Sequence, residues 1–413
     1  MRKAYTKKIT VLAVMVAIIG GCNILSNNES DNSQISVQND IQTLNKRLKI
    51  VNQEIILDST RAKSSISPTT DGDKFIHLAN VESPVDADGN RLSATSIEIR
   101  ANKVYVSYHL NEKLSGTAKI YAGAIDIIDM NEADEPEIIS SVSFEDTDIN
   151  AIEIEENAKL IWLTGGRNVS SSGYETGTHN GAVLGELWIN DDVFVDDNYR
   201  EIPLPSFSGN DIVDQGTNLY VSSGATGGGF YEVSKSGLEV LQSFSYNYAK
   251  SIDKREDDII GLSITPSGEA QFNMIDFSSS SVNEFTSGFS VSPVDGKNVI
   301  EHRDAITYAA MGNLGVKGYK FNDSEPLFYE YNAPGGDAAN GVTADGKYVY
   351  IANGTDGLFI TTNPKSGNKE PESVYNWDNG SGSANFVKTD GRYIILANGT
   401  DGLNILKKKT GSD

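Results

Sequence analysis

The sequence predicts an all-β repeat protein, and three observations carry that prediction. Two seven-residue strings, Ala352-Asn353-Gly354-Thr355-Asp356-Gly357-Leu358 and Ala397-Asn398-Gly399-Thr400-Asp401-Gly402-Leu403, stand 45 residues apart, a period typical of stacked β-units. An apolar residue followed seven positions later by a second one recurs as Ile97/Val104, Ile154/Ile161, Ile212/Leu219, Ile252/Ile259, Val299/Ile306, Val342/Val349 and Val387/Ile394, with steps of 57, 58, 40, 47, 43 and 45 residues. Those steps approximate the four-strand blade of a propeller, with the first two blades enlarged. From about residue 74 onward short alternating strands are separated by Asp-Gly, Asn-Gly and Gly-rich turns, with no helical stripe. The expected fold is therefore an all-β, seven-bladed β-propeller over residues 74–413, and 413 residues accommodate it as one unit.

The N-terminal elements follow in order. Arg2, Lys3, Lys7 and Lys8 precede an apolar run from Ile9 to Ile19, too short to span a bilayer, as a signal peptide over 1–21 would be. Ile19-Gly20-Gly21-Cys22 resembles the bacterial lipobox, which implies lipidation of Cys22 and a mature chain held on a membrane by acyl groups. Cys22 is the only cysteine, so no intramolecular disulfide forms. Residues 22–73 read as a lipidated tether: Asn23 to Asp40 is too polar to fold alone. Ile41, Leu44, Leu48, Val51 and Ile55 are spaced as one face of a short amphipathic helix over about 41–57, and Thr60 to Asp73 is again soft.

Within the blades, apolar side chains recur at period two, as in Val104/Val106, Leu219/Val221, Val349/Ile351 and Ile394/Leu396, and are expected to face between blades. Tyr105, Tyr220 and Tyr350 occupy one repeat position and read as packing. The last blade ends after Leu403–Leu406 and the lysines Lys407 to Lys409, leaving its outer edge bare. Phe75-Ile76-His77-Leu78 is apolar enough to pair there and close the ring.

Gly123-Ala124-Ile125-Asp126-Ile127-Ile128-Asp129, followed by Asn131-Glu132-Ala133-Asp134-Glu135-Pro136, resembles the LVIVD repeat of bacterial surface propellers. Lys347-Tyr348-Val349-Tyr350-Ile351-Ala352-Asn353-Gly354 with Asp356-Gly357-Leu358 is similar, in the manner of YVTN-type propellers. The resemblance spans about 97–406, best in the first, sixth and seventh blades, while blades two to four depart from it. It implies a secreted or surface-tethered β-propeller and no single activity.

Net charge is −23 with no basic stripe, which argues against nucleic acid and anionic lipid as partners. Loops between the second and third strands share one face, and two are long: Tyr108 to Ala122 in blade one and Thr164 to Leu184 in blade two. Binding residues favour such loops on rigid scaffolds, so the candidate ligand-binding residues are His109, Arg167, Tyr174, Glu175, His179 and Asn180. His77, His109, His179 and His302 lack zinc spacing. Asp86-Ala87-Asp88-Gly89-Asn90 begins like a calcium loop, but Ile97 stands where the bidentate glutamate belongs. No cofactor is expected; looser calcium binding is what the acidity leaves open. Asp191-Asp192, Asp196-Asp197 and Glu256-Asp257-Asp258 read as solvated turns, and the sequons at Asn353 and Asn398 as hairpin turns. No nucleophile elbow, metalloprotease helix or phosphate loop occurs, so no catalytic residue is assigned.

The expected function is a lipid-anchored binding or scaffold propeller of the bacterial cell envelope, on the outer or inner membrane, recognising a protein or glycan through the blade-one and blade-two loops. Two other readings remain open: a lactonase-like hydrolase or lyase, calcium-dependent or not, acting near the central channel, and a permanent subunit of an envelope complex.

Overall fold

A computed structural model describes residues 35–409, except 56–57, 63–72, 112, 116–117, 132–133, 171–179, 257, 293–296, 333–337, 364–368, 372, 379 and 381. Six four-stranded antiparallel meanders follow in chain order, beginning with Ser93–Arg100, Lys103–His109, Gly123–Met130 and Pro136–Phe144 as blade one. A seventh blade starts with Phe386–Thr389, Tyr393–Ala397 and Leu403–Lys409. The innermost strands contact one another in sequence, and the first touches the last, so the blades form a closed ring. All seven apolar pairs lie on the hairpin of an innermost strand and its neighbour, or immediately before it in the case of Val299.

The period-two pattern works as expected, because each blade buries both faces. Ile97, Val104 and Val106 of blade one pack against Ile395, Ala397 and Ile405 of blade seven. The alternate side chains Tyr105, Ile125 and Ile127 pack against Ile152, Ile161 and Leu163 of blade two. Burying each such side chain stabilises by about 1.5–3 kcal/mol, so the seams between blades hold the ring. Tyr105 and Tyr350 are fully buried, and the Tyr220 ring packs tilted against Phe277, with centroids 4.9 Å apart.

The ring closes as the bare edge predicted. Strand β4 (Lys74–Val81; β1 to β3 are introduced below) pairs antiparallel with Leu403–Lys409, Val81 opposite Leu403 and Lys74 opposite Lys409. At this junction Gly402 has φ +87°, and a Cβ there would lie 1.9 Å from the Val81 carbonyl oxygen, so only glycine fits. The repeated Asn-Gly-Thr-Asp-Gly strings are tight turns, with Asn353 N–H donating to Gly357 O at 2.9 Å and Asn398 N–H to Gly402 O at 2.7 Å. Asn353 and Asn398 are buried, at 0% and 3% exposure, and inaccessible to modification.

The segment before β4 corrects the expected helix over 41–57. Among the described residues of that span only Ile41–Leu44 is α-helical, capped by Asp40, whose carboxylate accepts from Gln42 N–H at 3.1 Å. A 3-10 turn at Asn45–Arg47 leads into an extended strand. Three short strands then run along the outside of three adjacent blades: β1 (Ile35–Gln38) pairs with Pro136–Phe144 of blade one, β2 (Leu48–Glu54) with β4 of blade seven, and β3 (Asp58–Ala62) with Ser373–Trp377 of blade six. The physical reason is that a helix needs its stripe buried, and of that stripe only Leu44 is; Ile41 is 41% exposed. The unpaired outer edge of a blade instead offers backbone hydrogen bonds to any extended neighbour. The described part of the expected tether is thus a strap. Cys22, the signal peptide and the polar run up to Gln34 lie outside the described residues.

One ion pair fastens the strap to the ring. Arg47 donates to both carboxylate oxygens of Asp126, at 2.8 and 3.0 Å, and Asp126 is fully buried in blade one. Burial disfavours the guanidinium charge, but Asp126 outweighs it and holds Arg47 ionised. Asn45 adds two bonds to the Ile138 main chain, accepting from its N–H at 2.8 Å and donating to its carbonyl at 3.4 Å. Replacing Arg47 by Met leaves a buried carboxylate without its cation, so R47M is expected to lose about 3–5 kcal/mol in urea unfolding.

Candidate functional site

The innermost strands begin on the face that carries the loops between second and third strands, and there they frame a cavity of about 210 Å3 at the mouth of the central channel. Its wall is drawn from five blades: Thr95, Ser96 and His109 of blade one, Asn150 of blade two, Asn210 and Asp211 of blade three, Lys250 of blade four, and Phe386 of blade seven, with Lys297 just before blade five. His109 ends the second strand of blade one, which places it at the root of the enlarged loop. Asn150 donates its amide hydrogens to Ser208 Oγ and Gly209 O, both at 2.9 Å, so its oxygen faces His109 Nδ1 at 3.2 Å. That arrangement puts the imidazole proton on Nδ1 and the lone pair on Nε2. Burial first, then the Lys297 charge, pushes the His109 pKa down to about 4, and the ring is neutral at pH 7.

Lys297 Nζ donates to the Thr95 carbonyl at 2.5 Å and stands 5.8 Å from the centre of the Phe386 ring. Burial lowers its pKa to about 8, against the opposing pull of Asp211. Asp211 is spent on its own surroundings, accepting from Ser251 Oγ, Ile252 N–H and Ile212 N–H; burial raises its pKa to about 6.

Below the mouth the channel narrows to a void of about 60 Å3 bordered by Glu98, Glu153, Asp211, Asp253, Glu301 and Lys388. Lys388 Nζ lies 3.4 Å from Glu98 and 3.5 Å from Glu301. Burial opposes its charge, but Glu98 and Glu301 prevail and hold it protonated. Burial and the charge of Glu98 raise Glu153 to about 8, and burial raises Asp253 to about 7. These groups are far apart in sequence, and only the closed ring assembles them.

The described part of blade one's enlarged loop contains a two-stranded ribbon, Lys113–Ser115 against Ala118–Ile120. Asp148, which sequence reasoning passed over, clamps its base: the carboxylate accepts from Leu110 N–H at 3.3 Å, Ala122 N–H at 3.2 Å and Lys119 Nζ at 2.9 Å. Lys119 also sits 4.4 Å above the Tyr121 ring. Beside it, Gly166 and Gly181 lack side chains, and Tyr121, Val169 and the Phe207 main chain close over them. Val169 and Phe207 are 38% and 52% exposed, so this rim presents apolar surface to solvent.

The six expected binding residues meet different fates. His109 lines the cavity. Arg167 is buried, at 2% exposure, and is held at 3.0 Å by Asp146 and also by Glu201, so the structure makes it a support for the loop base. Asn180 is exposed and uses its main-chain N–H on Ser206 O at 3.0 Å. Tyr174, Glu175 and His179 lie outside the described residues. His77 pairs with Asn80 at 2.6 Å and His302 with Thr307 at 2.8 Å, away from the mouth. Among the described residues no three His, Cys, Asp or Glu side chains are grouped to hold a metal ion. Asp86 serves its own turn, accepting from Asp88 N–H at 3.0 Å and Asn90 N–H at 2.7 Å.

The fold is shared with solved propellers. The chain superimposes on the Cps50 (Swd1) β-propeller domain of Myceliophteria thermophila with TM-score 0.53 at 10% identity, covering 76% of this chain and 96% of that one. It superimposes on U3-55K with TM-score 0.51 at 10% identity, covering 78% of this chain and 100% of that one. No protein-family model and no curated protein sequence matches it. At such identities the likeness establishes a β-propeller and nothing of its ligand.

Two stability predictions follow from these placements. Removing Arg167 strands Asp146 and Glu201, so R167M is expected to cost about 3–5 kcal/mol in urea unfolding. K388M leaves Glu98 and Glu301 without their cation. The variant is therefore expected to lose about 3–5 kcal/mol in urea unfolding, and an unchanged midpoint would contradict the assignment.

Proposed function

We propose that the chain is a membrane-anchored envelope propeller of the LVIVD kind that recognises a protein or glycan through the rim of blades one and two. The observation carrying this reading is the exposed pair Val169 and Phe207 beside Tyr121, gathered on the face where both enlarged loops emerge. Apolar and aromatic groups on a rigid scaffold, ringed by charge such as Lys119, are what recognition surfaces use. Support for the anchor is the Ile19-Gly20-Gly21-Cys22 sequence itself. The hydrolase or lyase reading keeps one observation in its favour, a cavity at the channel mouth next to carboxylates whose pKa values burial has raised.

The test uses the full-length protein, gently solubilised from native membranes and affinity-purified beside three variants. F207S and the 171–179 deletion should lose a near-stoichiometric partner that wild type retains, with melting temperature unchanged; a partner retained by both variants would exclude the rim. C22S should move the protein out of the detergent phase, and its remaining there would exclude the anchor.

A further inference from the structure

The channel mouth is built from side chains that the rim does not use, and its chemistry points to one class of small ligand. Lys297 is anomalous in a chain with 57 acidic and 34 basic residues. Its half-buried ammonium faces a cavity and bonds a main-chain carbonyl, whereas buried Lys317 and half-buried Lys388 each sit within 4 Å of a carboxylate. An ammonium so placed keeps donor capacity for an incoming anion. Asp211 shares the cavity, but both its oxygens are occupied by the Ser251 hydroxyl and the Ile212 and Ile252 N–H groups.

The rest of the wall suits hydroxyl groups and a ring. His109 is neutral, with Nδ1–H committed to Asn150, so Nε2 accepts a hydrogen bond and repels no cation. Ser96 adds a hydroxyl, and Phe386 an apolar surface beside Lys297. The cavity, at about 210 Å3, is below the range of drug-sized pockets and holds about one pyranose ring. We propose that the channel mouth binds a uronate, a sugar ring bearing a carboxylate, with Lys297 pairing the carboxylate, His109 Nε2 accepting from a ring hydroxyl, and Phe386 covering a ring face. This site stands independently of the rim, because none of its residues belongs to the 171–179 segment or to the Val169 and Phe207 patch.

The experiment is calorimetric titration of the full-length protein in detergent with glucuronate, galacturonate and a galacturonate trimer, with glucose and acetate as controls. Uronates should bind, glucose and acetate at least about tenfold more weakly, as expected when a charge-assisted bond or the hydroxyl contacts are lost. K297M should weaken uronate binding at least about tenfold, and K297R should retain most of it. Tighter binding of the trimer would identify a polysaccharide end as the source, and equal binding the free sugar. No uronate binding at millimolar concentration, undiminished binding by K297M, or equal binding of glucose would overturn the proposal. Should K297M fail to fold, the His109 imidazole resonances of wild type decide: a shift with glucuronate but not with glucose supports the site, and no shift refutes it. Failure here leaves the rim reading intact, because the partner test scores different residues.

Discussion

Every property of this molecule depends on the hydrogen-bonded edge between β4 and the final strand of the chain. A propeller is a line of sheets until its last blade is completed, and here that completion joins residues more than three hundred positions apart. Once closed, each blade gains a second packed face, and the seven apolar seams become mutually dependent. The channel is then defined, and with it the ring of groups that includes Glu98, Glu153, Asp211, Asp253, Glu301 and Lys388. No pair of neighbouring blades alone would place Lys388 between Glu98 and Glu301.

Much of this was readable in advance, and the reason is periodicity. The seven apolar pairs fell on the inner hairpins because a two-residue pleat and a tight turn impose a fixed spacing wherever a blade repeats. The closing strand was legible from a chemical deficit, the bare edge beyond Leu406, together with an apolar run able to fill it. The strap was not. Ile41, Leu44, Leu48, Val51 and Ile55 carry helical spacing, yet the segment is held by backbone pairing and by Arg47 on Asp126, and neither leaves a periodic trace. Edge strands solvated on one side need no buried stripe, so a sequence pattern cannot announce them.

The site divides along the same line. His109 lines the cavity from the root of an enlarged loop, and loop length is visible in sequence. Arg167 shared that signal but is structural, since the Asp146 and Glu201 that pair with its charge come from the bend before Thr147–Ile154 and from the strand Val193–Pro203. Lys297 carries no local signature at all. Its character arises from Thr95 and Phe386, at distant positions, and from a cavity that exists only when five blades converge. Acidic composition concealed it further, because a lone lysine amid an excess of carboxylates reads as another solvated pair.

The strap also sets how the domain meets mechanical load. Tension arriving through the chain before Ile35 enters at a four-residue strand on the outermost edge of blade one, remote from the channel. That strand peels first, one backbone pair at a time, and the load then reaches Asn45 on Ile138 and the doubly bonded Arg47–Asp126 pair. Both stops lie on the two outer strands of the blade, away from the innermost one. The molecule therefore carries its own sacrificial link: a pull on the N-terminal side lengthens the chain and leaves the ring, its seams and its mouth in register.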